Sequence, residues 1–504
     1  MEFREKCVMM LRILYEGRLL NKNKPTSDQV RLIESEKKCC IALSGPGSGK
    51  TSTSIFKVFS MIAKGINPSE ITVLAFTNKA INEITERMGK LKKQFGLNNL
   101  ECKVCTYHSF LLSVLGVNSD EILLPHMQTK IVSHVLELSS LLRKTFTKRR
   151  ALKRISALKF DVSLGKKLSS PDLELYNAYV KEQKRYKNKD FTDILTKTYS
   201  NLKGKDGESF LKNCHLVLDE SQDLDVLILR IIALGSPRSL VAVGDTMQAI
   251  FNFEGNKGDF VKVFQEKYDS SCEVFNLFTN HRSIRPIVNI CSLLRLGTEE
   301  FDLPELEKNC IEFITTISTS NRNKILLHLA KEHIKLKKTM FIVSRTNTEV
   351  DQLVTYFKKN SFLNFYHNST SLCSSSEVFV TVTTLHKCKG GECDSVVITN
   401  CSEGIIPMFG KSTVKVSEKI EEEKRLFFVG VSRAKTKIYI TYELSSDYIS
   451  GSLCKKRRKS RFLEIIPKEY FRKMEFEDYF PEKKISFSLD VEDSEVEDWK
   501  NLFQ

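Results

Sequence analysis

The segment IALSGPGSGKTSTS, residues 41–54, has the residue types of a phosphate-binding loop. A glycine-rich turn lets several backbone amides converge on one anion, and the N-terminus of a following helix adds partial positive charge. Lys50 can reach the β- and γ-phosphates of a nucleoside triphosphate, and the Thr51 hydroxyl can bind Mg²⁺. The segment therefore predicts a nucleotide site, the alternative being a glycine-rich turn without a ligand.

The strict form of this pattern has glycine where Ser44 stands here, and we expect this small residue to fit. The predicted phosphate-binding residues are Ser44, Gly45, Pro46, Gly47, Ser48, Gly49, Lys50, Thr51 and Ser52.

Two carboxylates in the segment CHLVLDESQDLD supply the acidic partner that such a loop needs. The apolar residues before them predict a buried strand, so both acids come at its carboxyl end, where α/β proteins bind ligands. Asp219 is expected to hold Mg²⁺ together with Thr51, and Glu220 to orient and activate the attacking water. The alternative is a pair of acids that only caps a helix.

The elements that must position these residues alternate between strand and helix. Residues 38–65 predict a short apolar strand, the glycine turn and an amphipathic helix, and residues 71–88 predict a second strand and helix. This alternation favours an α/β fold with parallel sheets.

The composition is that of a large protein with a basic surface. The chain has 504 residues, 41% of them hydrophobic, and a formal net charge of +16. The charge favours a polyanionic partner, although a basic surface kept for solubility would look the same. We expect no membrane partner and a soluble, intracellular protein, because no apolar run reaches the roughly 18 residues of a membrane span and the N-terminus is a poor signal peptide.

Further segments follow the loop in a fixed order: FTNKA, CTYHSF, DESQD, VAVGDTMQAIFNFEG, FTNHRS, VSRTNTEV, TLHKCKGGECDSV and EKRLFFVGVSRAKTK. In these segments, from about Leu20 to Arg472, the chain resembles the UvrD/Rep family of superfamily 1 DNA helicases. The resemblance implies two RecA-like P-loop NTPase domains with ATP and Mg²⁺ in the cleft between them, and single-stranded DNA bound across both.

The resemblance also implies roles for residues outside the loop. Gln29 would read adenine, Gln248 would sense the γ-phosphate, and Glu392 would hold the ribose. Arg282 and Arg433 would be arginine fingers from the second domain. His281 stands where the family has a tyrosine that packs on adenine. The catalytic set implied in this way is Lys50, Asp219, Glu220, Gln248, Arg282 and Arg433.

Nucleic-acid contacts are implied at nine positions, with Phe253 as an aromatic platform for a stacked base, the alternative being a core aromatic. Next to it, Glu254 departs from the family, which has arginine there. The nine positions are Phe76, Asn78, Thr106, His108, Phe253, Arg345, Asn347, Thr384 and His386.

The expected domains are an N-terminal extension (1–19), a first RecA-like domain (20–110 and 190–280) with a helical insertion (111–189), a second RecA-like domain (281–472) and an acidic tail (473–504). The basic run RKTFTKRRALKR in the insertion either holds duplex or tail phosphates or is a solvated helix face. Only about forty residues separate Ser344 from Leu385, so we expect the family's large second-domain insertion to be absent or reduced. A folded helical subdomain between Thr346 and Val380 would contradict this.

The sequence thus predicts an ATP-dependent DNA helicase, with 3′-to-5′ movement implied by the resemblance. The alternatives are a translocase or protein-displacing ATPase that needs a partner to unwind, RNA as the track, and a non-catalytic scaffold. Expected partners are single-stranded and tailed duplex DNA and a protein that docks on the acidic tail; the oligomeric state is left open, a monomer included. If the basic run Lys455–Arg461 is a targeting signal and not a solvated or DNA-facing loop, the protein would be nuclear.

Overall fold

The structure is a computed structural model that describes residues 2–18, 24–118, 122–186, 188–203, 210–250, 259–296, 310–362, 365–367, 379–409, 416–444 and 457–481. The chain divides into two compact units, Met1–Thr279 and Asn280–Gln504. Within the described ranges, no helix is both long and apolar enough to cross a membrane.

The first unit is built on a six-stranded sheet in which every pairing is parallel. The strand order is β3-β2-β4-β5-β1-β6. Strands β2 and β4 are buried along their whole length, as expected for apolar runs covered on both faces. The strands are β1 (Cys39–Ser44), β2 (Ile71–Ala75), β3 (Lys103–Thr106), β4 (His215–Leu218), β5 (Ser239–Gly244) and β6 (Cys272–Leu277).

Helices cover both faces of this sheet. The helices of the first unit are α1 (Glu2–Tyr15), α2 (Ser27–Glu34), α3 (Lys50–Ala63), α4 (Asn78–Gln94), α5 (Tyr107–Val114), α6 (Pro125–Leu138), α7 (Ser140–Thr145), α8 (Lys148–Ser163), α9 (Ser170–Gln183), α10 (Phe191–Lys203), α11 (Val226–Leu234) and α12 (Phe260–Tyr268). One core contains apolar side chains of α1 to α4, and the other contains those of α5 and α10 to α12. Helix α1, which the sequence analysis places in an N-terminal extension, contributes Met10 and Leu14 to the first of these cores.

Helices α6 to α9 form a cluster with a core of its own, which includes Ile131, Leu158 and Tyr179. A buried lysine ties this cluster to the residues that lead back to the sheet. The Lys159 ammonium lies 2.6 Å from the Asp190 carboxylate and 2.7 Å from that of Asp193, at the start of α10.

The second unit contains a seven-stranded sheet, again parallel throughout, with the order β13-β7-β12-β11-β8-β10-β9. Its strands are β7 (Ile311–Thr316), β8 (Met340–Ser344), β9 (Tyr366–His367), β10 (Val380–Thr384), β11 (Cys393–Ile398), β12 (Ala434–Glu443) and β13 (Phe471–Met474). Its helices are α13 (Arg285–Leu296), α14 (Thr319–Lys335), α15 (Asn347–Lys359), α16 (Val416–Val431) and α17 (Phe476–Tyr479). The prediction of an α/β fold with two parallel sheets is confirmed.

Two segments of the second unit bear on the expected domain limits. Between β8 and β10, the described residues contain α15 and β9 and no inserted helical subdomain. Residues 473–479 differ from the expected tail, because β13 pairs with β7 and Phe476 is buried in the core. The apolar side chains of this segment explain the difference, since they give it a face to bury. Residues 482–504 of the expected tail lie outside the described residues.

Candidate nucleotide and nucleic-acid sites

The glycine-rich turn joins β1 to α3 and ends at the N-cap residue Gly49. Gly47 and Gly49 have φ of +66° and +72°, a left-handed conformation that favours glycine. No side chain caps the N-terminus of the 14-residue helix α3. Uncapped amides and the helix dipole favour an anion at this end, so the turn fits a phosphate group.

Lys50 and Thr51, the first two residues of α3, contact the two acids that follow β4. The Thr51 hydroxyl donates to Oδ2 of Asp219 at 3.0 Å. The Lys50 ammonium lies 3.2 Å from Oε1 of Glu220. A hydroxyl beside a carboxylate is a donor set that suits Mg²⁺, which prefers oxygen ligands. The structure therefore brings together the four residues on which the predicted chemistry depends.

Burial and the neighbouring Glu220 carboxylate raise the pKa of Asp219 to about 6, and Lys50 and Thr51 act in the opposite direction. Asp219 is 2% exposed. Its main chain is fixed on both sides, because its N–H donates to the Leu74 carbonyl at 2.8 Å and its carbonyl accepts from the Tyr107 hydroxyl at 2.8 Å.

Glu220 and Gln248 are connected by a chain of buried and half-buried hydrogen bonds. The Gln222 amide donates to the Glu220 carboxylate, and its oxygen accepts from the backbone N–H of Asp245 at 3.0 Å. The Asp245 carboxylate in turn accepts from the Gln248 amide at 2.8 Å. The two predicted catalytic residues are therefore linked through Gln222 and Asp245, neither of which the sequence analysis selected.

Gln29 contacts the glycine-rich turn. It is the third residue of α2 and forms a reciprocal capping box with Thr26. Its side-chain amide donates to the Ser48 carbonyl at 2.9 Å. In the structure, the residue expected to read adenine is bonded to the loop itself.

Three of the predicted nucleotide residues in the second unit lie near one another. Arg282 pairs with Glu392 at 2.7 Å, and Lys435 approaches the same carboxylate at 2.9 Å. Although burial favours the neutral acid, Lys435 and Arg282 hold the pKa of Glu392 below its usual value. His281, adjacent to Arg282, is exposed.

Arg433 is 3% exposed, and its guanidinium donates within its own unit. Its acceptors include the carbonyls of Val429 at 3.0 Å and Gly391 at 3.2 Å, and the Ser432 hydroxyl at 2.8 Å.

The predicted nucleic-acid residues of the first unit follow two neighbouring strands. Phe76 and Asn78 come after β2, and Thr106 ends β3, whose register pairs Ala75 with Thr106. The Thr106 hydroxyl caps α5 by accepting from the Ser109 N–H at 3.2 Å. The ring centroid of His108 lies 4.3 Å from that of Phe191. Parallel strands thus bring these positions to one edge of the sheet; Phe253 and Glu254 lie outside the described residues.

In the second unit, strands β8 and β10 do the same for the remaining residues. Ser344 pairs with Thr384 at the ends of these strands, so Arg345, Asn347 and His386 come after one sheet edge. Arg345 makes a bidentate ion pair with Glu423, at 2.9 and 2.6 Å, and Glu423 is 2% exposed. The guanidinium predicted to contact nucleic acid thus has a buried carboxylate as its partner.

The described part of the basic run Lys455–Arg461 also pairs with acids of its own unit. Arg457 lies 2.9 Å from Glu443, and Arg461 makes a bidentate pair with Glu403. These contacts give both arginines a structural role, and nuclear targeting gains no support from them. Lys455 and Lys456 lie outside the described residues.

Together, the parallel sheets and the phosphate-binding turn define a P-loop NTPase with RecA-like units. Residues 26–269 match the model of the UvrD/REP helicase N-terminal domain, and residues 367–445 match that of the UvrD-like helicase C-terminal domain. The chain belongs to the UvrD/Rep helicase family.

Relatives of known description agree with this assignment. The chain is 24% identical over 473 residues to a "Probable DNA helicase" of Mycoplasma pneumoniae, a match that covers 86% of this chain and 85% of that protein. It is 26% identical over 292 residues to the ATP-dependent DNA helicase PcrA of Staphylococcus epidermidis, and 27% identical over 295 residues to the ATP-dependent DNA helicase SRS2 of Saccharomyces cerevisiae. These two matches cover 53% and 50% of this chain, but only 39% of PcrA and 25% of SRS2.

Proposed function

We propose that the protein is an ATP-dependent DNA helicase that moves 3′ to 5′ along single-stranded DNA and separates duplex strands. The observation that carries the proposal is the grouping of Lys50, Thr51, Asp219 and Glu220 at the carboxyl ends of β1 and β4. The predicted nucleic-acid residues follow β2 and β3 of the same sheet. The names of the relatives point to DNA as the polymer.

In this proposal, the glycine-rich turn binds the phosphates of ATP, and Lys50 stabilises charge on the β- and γ-phosphates. Thr51 and Asp219 would hold Mg²⁺, which neutralises phosphate charge when bound. Glu220 orients the attacking water and accepts its proton, and Gln248 follows the loss of the γ-phosphate through the hydrogen bonds that link it to Glu220.

We further propose that Arg282 and Arg433 stabilise the charge that develops on the transferred phosphoryl group. Glu392 would hold the ribose, His281 would stack on adenine, and Gln29 would hold the loop while it reads the base edge. The pairing of Arg282 with Glu392 supports the roles of these two residues, since it orients both side chains.

A second candidate is a translocase that moves on single-stranded DNA but needs a protein partner to open duplex. The short connection between β8 and β10 favours it, because the described residues there contain one helix and a two-residue strand. A partner that docks on the acidic tail remains part of this candidate.

The test gives the purified protein ATP, Mg²⁺ and a short duplex that carries either a 3′ or a 5′ single-stranded tail. We expect unwinding of the 3′-tailed duplex alone, and none with Lys50→Ala. Lys64→Ala is the matched control, because Lys64 follows the other end of α3 and its contacts with the described residues are surface ion pairs and a hydrogen bond to a backbone carbonyl.

Hydrolysis stimulated by single strands without unwinding would favour the translocase. Unwinding of the 5′-tailed duplex would contradict the proposed 3′-to-5′ direction. Stimulation of hydrolysis by RNA but not by DNA would contradict the proposal that DNA is the track.

A further inference from the structure

The peptide between Asp219 and Glu220 is held by a tyrosine from another strand–helix connection. The Tyr107 hydroxyl donates to the Asp219 carbonyl at 2.8 Å, and the Tyr107 side chain is 1% exposed. The N–H of the same peptide, which belongs to Glu220, donates to Oδ1 of Asp219 at 3.0 Å. Rotation of this peptide would therefore leave buried polar groups without partners, which is costly.

The orientation of this peptide matters because of the backbone of Glu220. Glu220 has φ of +53° and ψ of +41°, a left-handed conformation that is uncommon outside glycine and asparagine. Such a conformation persists only where the surroundings fix it. The hydrogen bond from Tyr107 is one of the contacts that hold the peptide before Glu220, whose carboxylate lies 3.2 Å from the Lys50 ammonium.

Tyr107 also stands between two predicted nucleic-acid residues. It is the first residue of α5, Thr106 caps that helix, and His108 follows on the same turn. A displacement of the N-terminus of α5 would move the Tyr107 hydroxyl with it. The chain thus has a direct connection, through one side chain, from the end of β3 to the end of β4.

We propose that Tyr107 is a positioning residue through which contact of single-stranded DNA with Thr106 and His108 reaches the catalytic carboxylate of Glu220. The inference rests on the proposed function, since it concerns stimulation of ATP hydrolysis by DNA. The positioning role requires the hydroxyl of Tyr107, whereas a role in packing would require only its ring.

Phenylalanine at position 107 separates these two roles, because it keeps the ring and removes the hydrogen bond. The matched control is Tyr179→Phe. Tyr179, in the cluster of α6 to α9, is also 1% exposed, and its hydroxyl donates to Asp190, just before α10, at 3.0 Å. Both variants thus lose one buried hydroxyl in the same unit, but only one of the two hydroxyls contacts the site.

The experiment measures ATP hydrolysis by the full chain with and without a saturating 20-nucleotide oligo(dT), and oligonucleotide binding by fluorescence anisotropy. We expect Tyr107→Phe to lower both kcat with DNA and the stimulation ratio by about five- to tenfold, in line with the loss of one buried hydrogen bond. The KM for ATP and the Kd for the oligonucleotide should stay within about twofold of wild type. Tyr179→Phe should retain the wild-type stimulation ratio.

If DNA stimulates hydrolysis by the wild type and stimulates Tyr107→Phe by the same ratio, the inference is overturned. It is also overturned if Tyr179→Phe loses as much of the stimulation ratio as Tyr107→Phe does. In the double variant Tyr107→Phe/Glu220→Gln, the tyrosine change should add no further loss, because it acts through Glu220; additive losses would also overturn it. A wild type that hydrolyses ATP equally with and without DNA would contradict the proposed function itself.

Discussion

Glu220 combines an uncommon backbone conformation with a carboxylate that contacts Lys50 of the glycine-rich segment. A glutamine there keeps the size and polarity of the side chain but cannot accept a proton from water. A substitution at Glu220 can therefore separate the binding of ATP from its hydrolysis.

We expect Glu220→Gln to lower the ATP hydrolysis rate by about 10²- to 10⁴-fold, the range typical of a lost general base. Nucleotide affinity should change little, because Lys50 and the glycine turn remain. The measurements are steady-state hydrolysis and binding of a fluorescent ATP analogue. Glu83→Gln, an exposed change on α4, is the control; equal losses of affinity and rate in Glu220→Gln would contradict the assignment.

Lys459 is a residue whose charge acts against the folded state. Burial, with Lys473 nearby, lowers the pKa of Lys459 to about 8, and its ammonium lies 5.1 Å from the ring centroid of Phe313. Because the unfolded chain binds this proton more tightly, the contribution of Lys459 to stability rises with pH between about 8 and 10.5.

Lys459→Met should therefore raise the thermal midpoint at pH 7 and remove part of the rise in midpoint between pH 8 and pH 10. Thermal unfolding of both proteins across this range measures the difference. A midpoint for Lys459→Met below that of wild type at pH 7 would show that the ammonium is stabilising.

At the scale of elements, a buried ion network joins α14, α15 and β12. Arg322 is 2% exposed and lies 2.8 Å from both Glu349 and Glu443. Arg457 approaches Glu443 from the other side at 2.9 Å. The network lies at the carboxyl end of the second sheet, where the strands present the residues predicted to bind DNA.

Arg322→Met should destabilise the protein by about 3–5 kcal/mol, because it removes the buried guanidinium shared by the buried Glu443 and the half-buried Glu349 carboxylates. Chemical denaturation followed by circular dichroism measures the loss. Lys331→Met, an exposed change on the same helix, should have almost no effect. A loss below about 1 kcal/mol in Arg322→Met would show that the carboxylates find other partners or protonate.

At the scale of the whole molecule, the net charge of +16 favours long-range attraction to nucleic acid. In the helical cluster of the first unit, Lys148, Arg149 and Arg150 are exposed in the first turn of α8. Cations are unfavourable at this end of a helix, so the turn is not arranged for the stability of the helix.

We expect Lys148→Ala/Arg149→Ala to weaken binding of a tailed duplex and to lower the slope of log Kd against log salt by up to about 2, one phosphate contact for each lost charge. Fluorescence titrations between about 50 and 200 mM salt, a range over which protein–DNA affinities change strongly, measure the slope. Lys166→Ala/Lys167→Ala, two exposed lysines beyond α8, is the control. An unchanged slope in the first variant would identify this turn as a solvated face.

The parallel α/β fold and the family could be predicted from the sequence, as could the positions of the glycine-rich turn after β1 and of the two acids after β4. These features are local, because a turn, a strand and a helix start depend on residues within a few positions of one another. The spacing of motifs along the chain then implied the order of the sites.

The long-range hydrogen bonds made by side chains could not be predicted from the sequence. The contact of Tyr107 with Asp219, the pairing of Arg345 with Glu423 and the bond from Gln29 to Ser48 join residues 19 to 112 positions apart. The same holds for residues 473–479. Their apolar side chains lie within an acidic segment, and the pairing of β13 with β7 places this segment in the fold. Such contacts depend on strand order and on the packing of helices against the sheet, which no short stretch of sequence specifies.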